Sequence, residues 1–372
     1  MQDVILCGDS IEEMNKLPES SVDLIFADPP YWMRTEGHLK RLEGTAFYGC
    51  DDSWDRFETL EDYQAFTRAW LTACYRLLKP NGSIWVIGSM QCIYTIGGIM
   101  QELGYWFIND VVWHKKNPTP NFFGTRLNNS HETLIWAAKS REAKYTFNYK
   151  TAKAMNTDTV SEEAYRKGVR KQLGSVWRIA ICSGSERLKD AELSKLHSTQ
   201  KPEELLYRVI AISSKLGDTV LDPFGGTMTT AAAAKRLGRH YVMIEREEKY
   251  CEFGRKRLES VVFEDNTYAR ASADEKPPRA SMRDMIAAGF FTEGEGFYLK
   301  GQEKETAVLD KSGRLLWNGS LMDMHSCAAR AKNARTERVN GFDWWYVMRD
   351  GELKSIAKVR EEYRKTVSFK KP

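Results

Sequence analysis

Residues 219–236 read TVLDPFGGTMTTAAAAKR, and this stretch decides the fold. It predicts a strand over 219–222, a glycine turn, and a helix that stops near Gly238. The glycines let the backbone approach a ligand closely, and the start of the helix offers unpaired N–H groups to an anionic group. The unit therefore predicts an α/β fold with a ligand site at the carboxyl end of this strand.

The rest of the first 260 residues repeats this alternation of short apolar runs and amphipathic stretches. The pattern is typical of an α/β protein with a mostly parallel sheet. Strands are predicted over 22–27, 84–88, 107–113, 133–137, 219–222 and 241–244. Helices are predicted over 60–78 and over 203–213. Pro80-Asn81-Gly82 is predicted to end the first of these helices and to form a turn into the next strand.

The length of 372 residues favours two domains. A polar stretch over 263–279, which contains Lys276-Pro277-Pro278-Arg279, predicts a linker. It separates a large domain over 1–262 from a small α+β domain over 280–372, which is rich in aromatic residues.

The composition excludes several classes of protein. With 42% hydrophobic and 28% charged residues, the chain has enough apolar material for a core. No apolar run approaches the roughly 20 residues of a membrane span, and MQDVILCGDS does not resemble a signal peptide. The seven cysteines are scattered and never spaced as CxxC. We therefore expect a reduced, cytoplasmic, nucleoid-associated protein without disulfides, a metal or a membrane partner.

The net charge is only +4, so a nucleic-acid role must come from local clusters. Residues 139–178 carry ten basic against four acidic side chains, with aromatic residues interleaved. Their net charge of +6 exceeds that of the whole chain. Taken alone, the segment is either a solvated loop or a surface for nucleic acid.

The sequence DPPY at 28–31 directly follows the predicted strand 22–27. Asp28 thus lies where open α/β sheets bind their ligands. The two prolines remove two N–H donors and leave carbonyl acceptors available, and Tyr31 adds an aromatic face. Acceptors beside an aromatic face suit an exocyclic amine on a planar heterocycle.

Two further stretches suit a nucleoside-like cofactor. Glu245 ends the next strand 23 residues after Asp222, near the spacing of about 20 for a carboxylate that binds ribose hydroxyls. HSTQKP at 197–202 opens a helix and offers a hydroxyl and a lysine to a small carboxylate, or simply caps the helix. The glycine turn is not GxGxxG, which disfavours a dinucleotide and hence a nicotinamide dehydrogenase.

Together these motifs resemble a known family. DPPY resembles the motif of amino-group S-adenosylmethionine (SAM) methyltransferases, in which Asp at the first position is usual for adenine N6 and Ser for cytosine N4. DPFGG at 222–226 and HSTQKP resemble their cofactor motifs. The motif order resembles the β-class DNA methyltransferases and, more specifically, the HinfI-type and cell-cycle-regulated (CcrM) adenine methyltransferases that modify GANTC. Nearly the whole chain is covered, including residues 8–12, 82–89, 117–122, 130–133 and the C-terminal domain.

The resemblance implies a Rossmann-like SAM-dependent methyltransferase fold with a mostly parallel sheet, plus a small C-terminal α+β domain. Residues 1–262 would form the catalytic domain with a DNA-recognition insertion over 139–196, and residues 280–372 a DNA-binding accessory domain. The implied activity is transfer of a methyl group from SAM to N6 of adenine in double-stranded DNA, within GANTC, after base flipping. A homodimer is a further expectation.

The resemblance also assigns roles to individual residues. Asp28 and the Pro29 carbonyl would accept hydrogen bonds from the target amine, Tyr31 would stack on the base, and Pro30 completes the motif. For the cofactor, Phe224 and Gly226 would line the methionine side, Lys201 and Thr199 the carboxylate, Glu245 the ribose, and Asp9 with Ser10 the adenine. The remaining predicted cofactor contacts are His197, Asp222 and Thr227. The predicted DNA contacts are Lys115, Asn121, Arg126, His131, Lys144, Lys150, Arg170, Lys171, Arg178, Arg330, Lys332, Arg335 and Trp344.

One position departs from the family pattern. The cofactor loop usually reads F-x-G-x-G, and Met228 stands where the last glycine is expected. If that position needs a positive φ or a bare backbone beside the cofactor, Met228 weakens cofactor binding. A catalytically impaired DNA-binding module therefore remains an open alternative. A second alternative is a methyltransferase for another amine, such as cytosine N4, RNA adenine or a protein amide.

Overall fold

The computed structural model describes residues 2–33, 39–40, 46–47, 55–120, 125–156, 170–188, 199–270 and 280–368. The chain divides into two compact units, Met1–Asp274 and Glu275–Pro372. Within the described ranges, no helix is long and apolar enough to cross a membrane.

The first unit is built on an eight-stranded sheet. Its strands are β1 (Val4–Cys7), β2 (Val22–Ala27), β5 (Leu78–Gly88), β6 (Trp106–Lys115), β7 (His131–Ala138), β8 (Val176–Ile179), β9 (Thr219–Asp222) and β10 (His240–Glu245), while β3 (Leu39–Lys40) and β4 (Ala46–Phe47) form a separate pair. The strand order is β1-β10-β9-β2-β5-β7-β6-β8. Only β7 runs antiparallel to its neighbours. The predicted mostly parallel α/β sheet is therefore confirmed.

Seven helices are described in this unit: α1 (Ser10–Lys16), α2 (Leu60–Leu77), α3 (Ile93–Glu102), α4 (Tyr149–Ala154), α5 (Glu203–Ser213), α6 (Thr229–Arg236) and α7 (Glu248–Glu259). The central strand β2 is buried on both faces of the sheet. Leu24 and Phe26 belong to one hydrophobic cluster, while Ile25 and Ala27 belong to the other. Because successive side chains of a strand point to opposite faces, this alternation places a core on each side of β2.

The turn predicted at Pro80-Asn81-Gly82 does not occur. Strand β5 begins at Leu78, directly after α2, and runs through these residues. Its pairing with β2 shifts register between Val22 and Leu24, and the proline and glycine lie in that irregular stretch. A Cβ on Gly82 would lie 3.1 Å from the Asp23 carbonyl oxygen, so the close approach of the two backbones suits glycine.

The second unit has a six-stranded antiparallel sheet and three described helices. The strands are β11 (Gly296–Leu299), β12 (Ala307–Leu309), β13 (Leu315–Trp317), β14 (Ser320–Met322), β15 (Trp345–Arg349) and β16 (Glu352–Ser355), and the helices are α8 (Met282–Ala287), α9 (Met324–Ala331) and α10 (Ile356–Ser368). The unit has its own core around Phe297 and Trp345, as expected for the predicted α+β domain.

Candidate active site

A cavity of about 950 Å³ opens at the carboxyl ends of the central strands. The DPPY turn after β2, the glycine loop after β9 and Glu245 at the end of β10 all line it. Predicted site residues that line this cavity are Asp9, Ser10, Asp28, Pro29, Pro30, Tyr31, Lys115, Arg126, His131, Thr199, Lys201, Asp222, Phe224, Gly226, Thr227 and Glu245. The sheet thus brings together motifs that lie almost 200 residues apart in sequence. Asn121 and His197 lie outside the described residues.

Two side chains, Asp55 and Tyr63, hold the DPPY turn and the two residues that follow it. The carboxylate of Asp55 accepts hydrogen bonds from the backbone N–H of Trp32 at 2.6 Å and of Met33 at 2.8 Å. The hydroxyl of Tyr63, on α2, donates to the Pro30 carbonyl at 3.0 Å. Trp32 has a φ of 52°, a left-handed conformation that a tryptophan keeps only when its surroundings enforce it.

Both oxygens of the Asp28 carboxylate have partners in this cavity. Lys201 Nζ lies 2.8 Å from Oδ2, and the hydroxyl of Tyr31 donates to Oδ1 at 2.9 Å. Lys201 Nζ also lies 5.0 Å from the centre of the Tyr31 ring. Burial raises the pKa of Asp28, and Lys201 opposes that shift. The predicted catalytic carboxylate is therefore ion-paired with a predicted cofactor ligand.

A second carboxylate of intermediate exposure, Glu132 at the start of β7, faces the same lysine. Its Oε1 pairs with Lys115 Nζ at 2.7 Å, and its Oε2 lies 3.0 Å from the Tyr31 hydroxyl and 3.8 Å from Lys201 Nζ. Burial alone would raise the pKa of Glu132, but the two lysines lower it below its usual value. In turn, Asp28 and Glu132 raise the pKa of Lys201 against the effect of burial. The shifts of Glu132 and Lys201 therefore favour the charged form of each group.

Asp222 organises the glycine loop rather than presenting a bare carboxylate to the cavity. Its Oδ1 accepts the backbone N–H of Phe224 at 2.9 Å, and its Oδ2 accepts the hydroxyl of Thr230 at 2.6 Å. Burial raises its pKa to about 7. Asp222 thus ties the end of β9 to the first turn of α6.

Glu245 and Gly226 form a cradle that suits a nucleoside. Glu245 accepts the backbone N–H of Gly226 and of Glu247, each at 2.8 Å, which fixes the carboxylate and leaves lone pairs for hydroxyl groups. Gly226 has a φ of 50°, which favours glycine at this turn. Asp9, beside them, caps α1 by accepting the N–H groups of Ile11 and Glu12.

Met228 takes the backbone conformation that a glycine would favour. Its φ is 59°, while its side chain is fully buried and is not part of the cavity lining. The side chain packs towards α7, where a Cβ on Gly254 would overlap Met228 Cγ. The missing glycine therefore introduces backbone strain. The Met228 side chain lies behind the glycine loop, where a Cβ on Gly225 would be 3.0 Å from its sulfur, and not in the cavity lining.

The predicted DNA contacts have mixed surroundings. Lys115, Arg126 and His131 line the cavity, and the Lys115 ammonium is paired with Glu132. In the basic segment, Lys144, Lys150, Lys171 and Arg178 are exposed and Arg170 is half-buried, whereas Trp177 belongs to the core. In the second unit, Arg330 and Arg335 are exposed, and Lys332 Nζ lies 3.4 Å from the centre of the half-buried Trp344 ring.

One group of three potential metal ligands occurs among the described residues. Cys7, Glu248 and Cys251 have ligand atoms within 4.8 Å of one another, beside the Glu245 end of the cavity. Burial raises the pKa of the Cys251 thiol to about 12, and a hydrogen bond with Glu248, together with burial, raises the pKa of Cys7. Both side chains are therefore neutral thiols at ordinary pH.

The sequence did not indicate three polar residues that support the site: Asp55, Tyr63 and Thr230. Glu132 lies in the stretch 130–133 that resembles the family, but its contacts with Tyr31 and Lys201 were not predicted. The hydroxyl of Thr230 is detectable in principle, since it lies in the first turn of the helix that follows Asp222. Asp55 and Glu132 reach the site through tertiary contacts with residues 22 to 101 positions away, for which the sequence carries no local signal.

A Rossmann-like sheet, a carboxylate-Pro-Pro-aromatic turn and a glycine cradle that share one cavity define a SAM-dependent methyltransferase. The family model for N6/N4 DNA methylases matches residues 22–256, and the chain belongs to this family. Because SAM is the methyl donor of these enzymes, the chain is a SAM-dependent, site-specific DNA methyltransferase.

Individual relatives agree with this family. The Type II methyltransferase M.HinfI of Haemophilus influenzae is 46% identical over 359 residues, which is 96% of either chain. The Type II methyltransferase M2.DpnII of Streptococcus pneumoniae is 35% identical over 69% of this chain and 90% of its own. The solved PvuII DNA methyltransferase, which is cytosine-N4-specific, is 18% identical with a TM-score of 0.51, covers 72% of this chain and 89% of its own, and shows the shared fold.

Proposed function

We propose that this protein methylates N6 of adenine in double-stranded DNA, within the sequence GANTC. Adenine N6 as the methyl acceptor is supported by Asp28, a half-buried carboxylate at the first position of DPPY, which lines the same cavity as the glycine cradle. The target sequence is supported by the resemblance to HinfI-type enzymes and by the 46% identity to M.HinfI along 96% of the chain.

The residues present fit SAM. Glu245 would accept the ribose hydroxyls, Asp9 and Ser10 would flank the adenine, and Phe224, Gly226 and Thr227 would line the methionine side. Thr199 and Lys201 would hold the carboxylate, and the three N–H donors of Lys201 allow it to keep a carboxylate partner in the cavity at the same time. When bound, SAM supplies a methyl group on a positively charged sulfur, open to attack by an amine.

Asp28 makes the adenine amine a better nucleophile. The N6 lone pair is delocalised into the ring, and a hydrogen bond from N6–H to Asp28, with a second to the Pro29 carbonyl, favours a tetrahedral nitrogen. As N6 becomes positively charged, the fixed carboxylate stabilises that charge. Tyr31 stacks on the base. An adenine paired in a duplex cannot reach Asp28, so the base must flip out at a cost of a few kcal/mol.

Exposed cations would bind the DNA backbone. The basic segment over 139–196 is proposed as the recognition insertion and the unit over 280–372 as a second DNA-binding surface, with 263–279 as the linker. The proposed contacts are the thirteen side chains predicted from the sequence, from Lys115 beside the cavity to Trp344 in the second unit. A homodimer is also proposed, as the resemblance implies.

The test uses labelled SAM and two duplexes that differ only in one GANTC site, with the modified base identified by mass spectrometry. We expect N6-methyladenine only in the GANTC duplex, and none with Asp28→Ala. Asp28→Asn retains an acceptor but loses the charge and should fall between the two.

Other results would replace the proposal. Methylation of sites other than GANTC would keep the chemistry and remove the specificity, and N4-methylcytosine would make this a cytosine enzyme. SAM binding without methylation of either duplex would point to another amine. An absence of SAM binding would favour the DNA-binding module.

A further inference from the structure

The buried side chains beyond Asp28 carry a further role that rests on the proposed function. In the structure, Asp28 is paired with Lys201 and hydrogen-bonded to Tyr31. A carboxylate in this state has fewer lone pairs to offer, and its charge is partly neutralised by the lysine. If Asp28 is to accept hydrogen bonds from an amine with its full charge, Lys201 and the Tyr31 hydroxyl must move to another acceptor.

Glu132 is placed to receive both partners. Its Oε2 is 3.0 Å from the Tyr31 hydroxyl and 3.8 Å from Lys201 Nζ, so Lys201 needs to move by only about 1 Å to pair with it. The tyrosine has a single hydroxyl proton and donates it to one carboxylate at a time. The same two donors therefore serve two competing acceptors, Asp28 and Glu132.

Lys115 keeps Glu132 in position for this exchange. It holds Oε1 at 2.7 Å, which leaves Oε2 directed at Tyr31 and Lys201. Lys115 also compensates the negative charge of Glu132, which lies beside Asp28. The Lys115 side chain is only 15% exposed. Without Lys115, Glu132 would be an unpaired acid whenever Lys201 stays on Asp28.

We propose that Glu132, held by Lys115, is a positioning residue that withdraws Lys201 and the Tyr31 hydroxyl from Asp28 when the target amine enters. Glu132 itself touches neither the amine nor the methyl group. The exchange moves hydrogen bonds and a charged side chain and breaks no covalent bond. It accounts for the two carboxylates and two lysines of this cluster, Asp28, Glu132, Lys115 and Lys201, where the methyl transfer proposed above uses only the carboxylate of Asp28.

A change in pH dependence distinguishes this role from a structural one. Among the described residues, the charged and titratable groups that act on Asp28 are Tyr31, Glu132, Lys201, Cys92 and Asp222. Lys115, from β6, acts on Glu132. Of these, Glu132 raises the pKa of Asp28 and Lys201 lowers it. Removing the charge of Glu132 therefore lowers the pKa of Asp28.

The experiment measures methyl transfer by the full chain from pH 5 to 9 in Glu132→Gln, Lys115→Met and the double variant. For Glu132→Gln we expect kcat to fall by about tenfold and the acidic limb of the kcat/KM profile to move to lower pH, with little change in KM for SAM. For Lys115→Met we expect the limb to move to higher pH, because Glu132 keeps its charge and loses its compensating cation. The double variant should show the same acidic limb as Glu132→Gln. That result would show that the shift in Glu132→Gln is not caused by leaving Lys115 without a carboxylate partner.

Glu203→Gln is the matched control. Glu203 also pairs with two cations, Arg236 at 2.7 Å and Arg257 at 3.3 Å, but does not line the cavity. Circular dichroism and thermal unfolding verify that each variant folds. If Glu132→Gln does not fold, the acidic limb of the double variant tests the inference instead. Unmoved acidic limbs, or a loss of rate equal to that of Glu203→Gln, would overturn the inference. If the wild type methylates an amine other than adenine N6, the proposed substrate fails, and the same variants test the inference on that amine.

Discussion

Met228 shows how a residue in a left-handed conformation is tolerated beside a cofactor site. A non-glycine residue with φ near 59° costs about 1–2 kcal/mol, and burial of the methionine side chain against α7 offsets this cost. Gly254 provides the space, since its missing Cβ is where Met228 Cγ lies. The two residues form a complementary pair across α6 and α7.

We therefore predict that Gly254→Ala lowers the free energy of unfolding by about 2 kcal/mol through overpacking. The penalty should be smaller in a Met228→Ala background, which a double-mutant cycle by urea denaturation measures. Gly98→Ala, in α3 with open space around the added Cβ, is the matched control and should stabilise by about 0.5–1 kcal/mol. SAM affinity should change little in the folded variants, and equal penalties in both backgrounds would contradict the pairing.

Asp222 predicts a pH dependence of stability. Its pKa of about 7 in the folded state exceeds the usual value of 3.8 for an aspartate, so the folded state holds the proton more tightly than the unfolded chain. Stability is therefore highest below about pH 4 for this group and decreases as the pH rises to 7, by about 4 kcal/mol in total. Asp222→Asn should remove that decrease when unfolding is followed between pH 4 and 8. Parallel curves for the wild type and the variant would mean that Asp222 is ionised throughout.

The chemically distinctive residues of the site were predictable from the sequence, and their partners were not. Asp28, Gly226 and Glu245 stand next to strand ends, where local pattern and ligand geometry coincide. Lys201 was assigned to the cofactor because it opens a helix, yet its nearest carboxylate in the structure is Asp28, 173 positions away. Such pairings follow from the order of strands in the sheet, which no local pattern encodes.

Among the elements, the turn after β2 depends on support from one aspartate. Asp55 satisfies two successive backbone N–H groups, those of Trp32 and Met33, and so maintains the left-handed residue that follows DPPY. An asparagine has one acceptor oxygen and would direct its NH₂ group at the other donor. One N–H would then be left without a partner.

We predict that Asp55→Asn lowers the free energy of unfolding by about 2 kcal/mol and reduces kcat more than it weakens SAM binding. Equilibrium denaturant titrations and calorimetric SAM titrations separate the two effects. Asp62→Asn, which alters an exposed helix cap, is the control and should change stability by less than about 1 kcal/mol. A variant with wild-type kcat would show that the turn keeps its shape without Asp55.

Strands in the middle of the sheet were predictable and those at its edges were not. The run 22–27 is apolar at nearly every position because β2 is buried on both faces. The edge strands β1 and β8 were missed: β8 alternates exposed and buried residues within the basic segment, where its charge suggested a loop. The same alternation shows that part of the basic segment belongs to the sheet.

At the scale of the molecule, the two units have separate hydrophobic cores. Trp345 is fully buried in the core of the second unit, with Phe297 and Val347. We predict that Trp345→Ala destabilises this unit by about 3–5 kcal/mol and leaves the first unit unchanged. Differential scanning calorimetry should therefore show one transition moved to lower temperature and one unmoved. A uniform shift of both transitions would mean that the units unfold together.

The charge distribution predicts how DNA affinity depends on salt. Exposed cations of the basic segment should bind phosphates, although the whole chain is nearly neutral. Lys144→Gln with Lys171→Gln should weaken duplex binding and reduce the slope of log Kd against log salt by about 0.9 for each phosphate that these lysines neutralise. Lys16→Gln, on α1 beside Glu13, is the control and should leave the slope unchanged. Fluorescence anisotropy at several salt concentrations measures these slopes.

The order of strands also governs when the protein becomes active during its synthesis. Central strand β2 pairs with β9, about 200 residues later, and β1 pairs with β10. At about 5–20 residues per second, a ribosome needs roughly 10–40 seconds to add the residues between these partners. Until then the DPPY turn adjoins a sheet with one open edge and has no glycine cradle beside it. A nascent or prematurely terminated chain that ends before Glu245 therefore cannot modify DNA, and its unpaired β2 edge makes it a substrate for chaperones and proteases.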